Sequence, residues 1–255
     1  MPDLPKPTLG EVTAITMTSP DLERSLQFYE KLGFREVTRF DFPFPWIQIS
    51  DGALLIMLRL GNDPVIALTY YVHDLNRVVS DLENAGVVFT IKPEPTDMIR
   101  RFVLQSPDGL RVSLVTYVDT FKQPPGPTML TTDQSDFFNP AKYVNKVCGM
   151  YGEFAHPVKD LEASIEWWKI LGFKALSQFT SPYPWAILSD GLAVVGLHQT
   201  THFTFPTITY FASDMKEKIN KLKSEGLQDF TEAGGGNITL ITPEKQRINL
   251  FKMGM

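Results

Sequence analysis

The side chains able to do chemistry in this chain are few and scattered. Cys148 is the single thiol, and no catalytic cysteine signature surrounds it, so it fits a small buried or linker residue. Of the four histidines, His73 immediately precedes an Asp that can cap a helix, and His202 falls in a turn. Surface or packing roles are the ordinary reading of His73, His156, His198 and His202 alike. Aromatic rings concentrate in two segments, Phe40, Phe42, Phe44 and Trp46, then Phe179, Tyr183 and Trp185. Such faces give a large contact area at small entropy cost. Both segments alternate with prolines and precede a Ser-Asp-Gly turn, and core or interdomain packing is one use for them.

Composition removes several classes. The chain has 255 residues, 43% hydrophobic and 21% charged, enough for two domains with proper cores and too apolar for disorder. A formal net charge of -5 leaves no excess of Lys and Arg to neutralise a phosphate backbone, so nucleic acid is not the expected partner, although a small local basic patch is allowed. No apolar run is long enough to cross a membrane. Residues 1–10 carry three prolines and no apolar segment of the kind a signal peptide needs. One cysteine cannot make an internal disulfide, which suits a reducing compartment, and the cytoplasm is the default location.

The elements that would position any site follow from two repeats. A shift of 139 residues lays Asp21–Leu58 on Asp160–Leu197 without a gap, with 15 identities in 38 pairs. Leu32-Gly33-Phe34 meets Leu171-Gly172-Phe173, Trp46 meets Trp185, and Ser50-Asp51-Gly52 meets Ser189-Asp190-Gly191. Within each copy an Asp precedes a Gly by 12 residues, at Asp21/Gly33, Asp74/Gly86, Asp160/Gly172 and Asp214/Gly226. This predicts a helix of about three turns, capped by the Asp and closed by a left-handed Gly. Leu22, Leu26, Tyr29 and Leu32 supply its apolar stripe. Trp167 lies off the matching stripe and Trp168 on it. Strand-like runs precede each Asp at 12–18, 66–72, 150–156 and 207–212, and hairpin turns fall at Ser-Asp-Gly and at Pro107-Asp108-Gly109. The fold class is therefore α+β: two tandem domains, each of two β-α-β-β-β units. The expected boundaries are 8–118 and 147–255. Between them, 119–146 forms a linker that Phe137 and Phe138 pin to a domain.

The run Asp-Leu-Glu-Arg-Ser-Leu-Gln-Phe-Tyr-Glu-Lys-Leu-Gly-Phe at 21–34 and Ser-Pro-Asp-Gly-Leu-Arg-Val-Ser-Leu at 106–114 resemble the glyoxalase / bleomycin-resistance / dioxygenase superfamily, the vicinal oxygen chelate proteins. The resemblance implies that paired units curl a mixed sheet around a cleft. It also implies four ligand positions in the family's metal enzymes, on the first and last strands of the units. In this chain those positions are Ala14, Ile56, Ala67 and Ser113, then Glu153, Val195, Thr207 and Asn249. Glu153 alone is a strong donor, so no metal and no cofactor is expected. If Glu153 and Val195 face the cleft, strand alternation turns His156 and His198 away, unless a bulge intervenes.

What remains is a polar cluster in the C-terminal half. Glu153 is the candidate catalytic residue, a general base if burial suits it, and Thr207, Asn249 and Arg247 are candidate ligand contacts. Arg247 could equally pair with Glu153, and a wet cleft mouth is a further use for that carboxylate. The N-terminal half offers only Ser113 and Arg111. Drug-binding members of the family stack aromatic rings on a flat ligand, which makes Tyr183 and Trp185 candidate contacts too. Three expectations follow: a metal-free protein that binds a small, partly aromatic molecule; a lyase, isomerase or dioxygenase working around Glu153; or a scaffold whose clefts its own side chains fill. The protein is expected as a monomer or homodimer.

Overall fold

The computed structural model describes residues 4–117 and 128–254. The Pro124-Pro125-Gly126-Pro127 part of the expected linker lies outside the described residues. The first half runs β1 (Val12–Ser19), α1 (Leu22–Lys31), β2 (Arg35–Phe40), β3 (Trp46–Ser50), β4 (Leu55–Leu60), β5 (Ile66–Val72), α2 (Leu75–Asn84), β6 (Arg101–Gln105) and β7 (Arg111–Thr116). The second half runs β8 (Met150–Pro157), α3 (Leu161–Ile170), β9 (Lys174–Phe179), β10 (Trp185–Ser189), β11 (Val194–His198), β12 (Thr207–Ala212), α4 (Met215–Ser224), β13 (Phe230–Gly234), β14 (Asn237–Ile241) and β15 (Arg247–Lys252).

The helices form where the Asp–Gly spacing places them. Asp21, Asp74 and Asp160 each accept a hydrogen bond from the backbone N–H three residues on, at 3.0 to 3.1 Å. Asp214 departs from the pattern. It makes no side-chain cap bond, and its Oδ2 lies 3.5 Å from Lys218 Nζ one turn along, which draws the carboxylate off the helix end. Gly33, Gly86, Gly172 and Gly226 all have φ between 85° and 90°, the left-handed conformation that only glycine adopts without strain.

Two mixed sheets result, ordered β2-β3-β4-β1-β5-β7-β6 and β13-β14-β15-β12-β8-β11-β10-β9. In each, the first strands of the two units lie side by side and antiparallel, β1 with β5 and β8 with β12. The first sheet has one strand fewer. After α2 the expected strand shrinks to a single bridge between Ile91 and Val103. Pro93 and Pro95 follow it, and a proline has no N–H to give a ladder. The corresponding stretch of the second half lacks proline and forms β13.

Buried apolar side chains from both halves join in one continuous cluster, with Tyr29, Leu32, Phe34 and Tyr70 beside Trp168, Phe173 and Tyr210. Reciprocal polar contacts cross it. Tyr210 donates to Asp51 Oδ2 at 2.6 Å, and Tyr70 donates to Asp190 Oδ2 at 2.7 Å. Burial, and then the neighbouring carboxylate, push both phenols well above their usual range, so each stays a donor. The other oxygen of each Asp accepts backbone N–H groups of its own turn, from Ala53 and Leu54 or from Leu192 and Ala193. The Ser-Asp-Gly motif therefore turns a hairpin and pins the opposite half at once.

Candidate functional site

A bulge sets up the site. Between β8 and β12 the register shifts, so that Thr209 faces Glu153 while Tyr210 faces Tyr151, and Gly152 is the extra residue. Glycine is required there, because a Cβ would sit 2.5 Å from the Phe211 ring. Beyond the bulge, Glu153 and Ala155 face a cavity of about 1430 Å³, while Phe154 enters the core.

On the neighbouring β11 the expected position was wrong by one residue. Val195 pairs with Phe154 in a parallel register and shares its core face, fully buried. The residues facing the cavity are therefore Gly196 and His198. The same correction holds in the first half, where Ile56 pairs with Ile15 in the core and Met57 takes the cleft side. His198, expected to turn away, points in without any bulge on its own strand. His156 does turn away, and both its ring nitrogens are buried without a hydrogen-bond partner.

Glu153 meets His198 rather than Arg247. The Glu153 Oε1 to His198 Nε2 distance is 3.1 Å, and the two residues are 5% and 8% exposed. His198 Nδ1 lies 3.4 Å from the Tyr183 hydroxyl, so carboxylate, imidazole and phenol form a chain. Trp185 stacks on the His198 ring at 5.5 Å and 3°, and Phe179 stacks on Trp185 at 4.1 Å and 17°. The second oxygen, Glu153 Oε2, is buried with no hydrogen-bond partner. It lies over Gly196, where a Cβ would come within 1.9 Å of it. Only a glycine leaves the carboxylate this room.

The other expected contacts line the same cavity. Asn249 Oδ1 accepts from the Thr239 hydroxyl at 2.8 Å, and its amide donates to Thr207 at 3.2 Å and Thr209 at 3.4 Å. Arg247 lies 4.7 Å from the centre of the Phe205 ring and donates to the Lys245 carbonyl. The 128–138 segment closes one side with Met129, Leu130 and Phe137, and the Met129 N–H donates to the Tyr151 carbonyl at 3.1 Å. Phe138 stays 64% exposed. The wall built by this segment was not legible in advance, since nothing in its polar composition points to a cavity.

The first half answers the same positions differently. Ala14 and Ala67 stand opposite Glu153 and Thr207 in the repeat, and Met57 stands opposite Gly196. Val12, Ala14, Trp46, Leu55 and Tyr71 pack together with Met57 and Phe44, and the Tyr71 hydroxyl lies 3.1 Å from Met57 Sδ. This cleft is filled from within.

In neither half do the four positions implied by the resemblance supply three strong metal donors. Of the second half's four cleft positions, Gly196 supplies no side chain, and Thr207 and Asn249 are bonded to each other. Among the described residues, no three His, Cys, Asp or Glu side chains come together as a metal site.

Residues 11–114 match the family profile of the Glyoxalase/Bleomycin resistance protein/Dioxygenase superfamily. The match spans most of the first half of the chain. The second half repeats the matched half in sequence, and several solved structures align over both. A 2,3-dioxygenase, LapB, from Pseudomonas sp. KL28 is 15% identical, with a TM-score of 0.59 over 95% of this chain and 91% of that one. Homoprotocatechuate 2,3-dioxygenase from Arthrobacter globiformis is 13% identical, with a TM-score of 0.61 over 98% and 82%. A Mn(II)-bound glyoxalase from Novosphingobium aromaticivorans is 17% identical, with a TM-score of 0.59 over 96% and 82%. At such identities the likeness is one of fold. Among curated protein sequences none matches the chain. No helix among the described residues is long and apolar enough to cross a membrane.

Proposed function

We propose that the C-terminal cavity binds a small, partly aromatic molecule, without a metal, and that the ligand presents an O–H or N–H group to Glu153. The observation that carries this reading is the partnerless Glu153 Oε2, held beside the Phe179–Trp185–His198 stack. A buried carboxylate oxygen without a donor is costly, and a ligand donor removes that cost. Aromatic faces and threonine hydroxyls around it suit a flat body with polar edges. In this reading the protein works as a monomer or homodimer in the cytoplasm, where its one buried thiol meets no oxidant.

The test is titration with planar hydroxyaromatic compounds, catechol among them, followed by tryptophan fluorescence and calorimetry. Saturable quenching by at least one compound is expected, weakened about tenfold or more by Glu153→Gln. Failure of every compound to bind sinks the proposal.

The Glu153–His198–Tyr183 chain favours a second reading, an enzyme of the C-terminal half. Glu153 would take a proton from a bound hydroxyl or carbon acid, and His198 would hold the carboxylate in place. Turnover of a bound compound, lost in Glu153→Gln while binding persists, would select this reading. Binding without turnover selects the first.

A further inference from the structure

Arg247 and the Glu153 carboxylate lie at two ends of one row of the second sheet. Directly paired residues share a face of a sheet. The pairing runs from Arg247 of β15 to Thr207 of β12, then to Ala155 of β8 and Gly196 of β11. The Glu153 carboxylate lies over Gly196, at the far end of that row. Three strand spacings, roughly 14 Å of sheet, separate the two ends. Between them the row carries Ala155 and Thr207, two small side chains that line the cavity. A large residue at either place would block the path from one end to the other. Two contacts hold the guanidinium at the cavity wall. Its Nη1 donates to the Lys245 carbonyl at 2.9 Å, and its Cζ lies 4.7 Å from the centre of the Phe205 ring, itself a lining residue. Among the described residues of the wall, Arg247 is the single Lys or Arg. The carboxylates there are Glu153 and Asp133, and Asp133 already accepts from the N–H and hydroxyl of Ser135.

A row with a carboxylate at one end and a guanidinium at the other gives a bound molecule a direction. Glu153 repels an anionic group and Arg247 attracts it, so a singly charged ligand settles one way round. A guanidinium fork matches the paired oxygens of a carboxylate. The reach of the Arg247 side chain shortens the span to that of an aromatic ring bearing a short chain. We propose that the ligand of the C-terminal cavity is an aryl acid, whose O–H or N–H group meets Glu153 and whose carboxylate is held by Arg247. This assignment rests on the cavity being a ligand site, and it adds the charge of the ligand and its direction in the cleft. Arg247 is then the residue that sets specificity for acids over neutral analogues.

The test titrates the full chain calorimetrically, near neutral pH, with para-hydroxybenzoate, para-hydroxyphenylacetate and para-hydroxyphenylpropanoate, and with the primary amide of each. At least one acid should bind about tenfold more tightly than its amide. Added sodium chloride should shrink that preference. Arg247→Gln should bring the acid down to the affinity of the amide, and Arg247→Lys should restore part of the difference. Glu153→Gln should weaken acid and amide together and leave their ratio unchanged. Amides that bind as well as the acids or better, or an acid preference that survives Arg247→Gln, would overturn the proposal while the cavity stays a ligand site. Failure of every acid and every amide to bind would overturn both.

Discussion

Gly196 decides whether this site exists. The N-terminal half carries Met57 at the equivalent place and fills its own cleft, while the C-terminal half carries no side chain and leaves the space to Glu153. Gly196→Ala should therefore push the carboxylate off His198 and weaken the proposed ligand binding about tenfold, as read by calorimetry. His156 makes a second residue-scale case. Burial holds its imidazole down at about 4, helped by His198 and opposed by Asp108. Between pH 6.5 and 4 the unfolded chain takes up a proton that the native protein refuses. Stability should accordingly fall as the pH drops through that window, by up to about 3 kcal/mol. Urea unfolding at a series of pH values checks it, and His156→Leu should flatten the acid side. An unchanged slope in that variant would assign the acid loss to other groups.

Among the elements, the four capped helices are a controlled comparison. Asp160 caps α3 through the Ala163 N–H at 3.0 Å, while Asp214 leaves α4 without such a bond. Asp160→Ala should lose about 1 kcal/mol in denaturant titration, and Asp214→Ala clearly less. Equal losses would mean that the side-chain bond is not what the Asp at these helix ends contributes. The bulge in β8 is the other element that matters for function. Its extra residue, Gly152, lets Tyr151 and Phe154 both face the core with Glu153 on the open side between them, so one strand serves the core and the cavity together.

At the scale of the whole molecule, the two halves share one apolar core, and each supplies a buried carboxylate to the other's tyrosine. Removing the Tyr70 hydroxyl leaves an Asp190 oxygen buried without that donor. Tyr70→Phe should lower stability by about 1–3 kcal/mol, with both halves still unfolding in a single transition. Two separated transitions in the variant, seen by calorimetry, would show that this contact is what couples the halves. Loss below about 0.5 kcal/mol would show that the shared apolar core does the coupling alone.

The sequence by itself determined the architecture. Repeats, Asp–Gly spacings and turn motifs are local signals, and each acts through backbone geometry that a few neighbouring residues dictate. They placed all four helices, the first strand of each unit and the hairpin turns. The family resemblance, laid over those repeats, implied Glu153, Thr207, Asn249, Arg247, Tyr183 and Trp185 as candidate contacts, and all six line one cavity. Only the tertiary structure decided which partner Glu153 takes. That choice depends on the parallel register of β8 with β11, a long-range pairing in which a step of one residue exchanges core for cleft. The same step replaced Val195 and Ile56 with Gly196 and Met57 and turned His198 inward. The second duty of the Ser-Asp-Gly turns was hidden for a related reason, since the tyrosines they bind lie 120 and 159 residues away and meet them only when the two halves share a core.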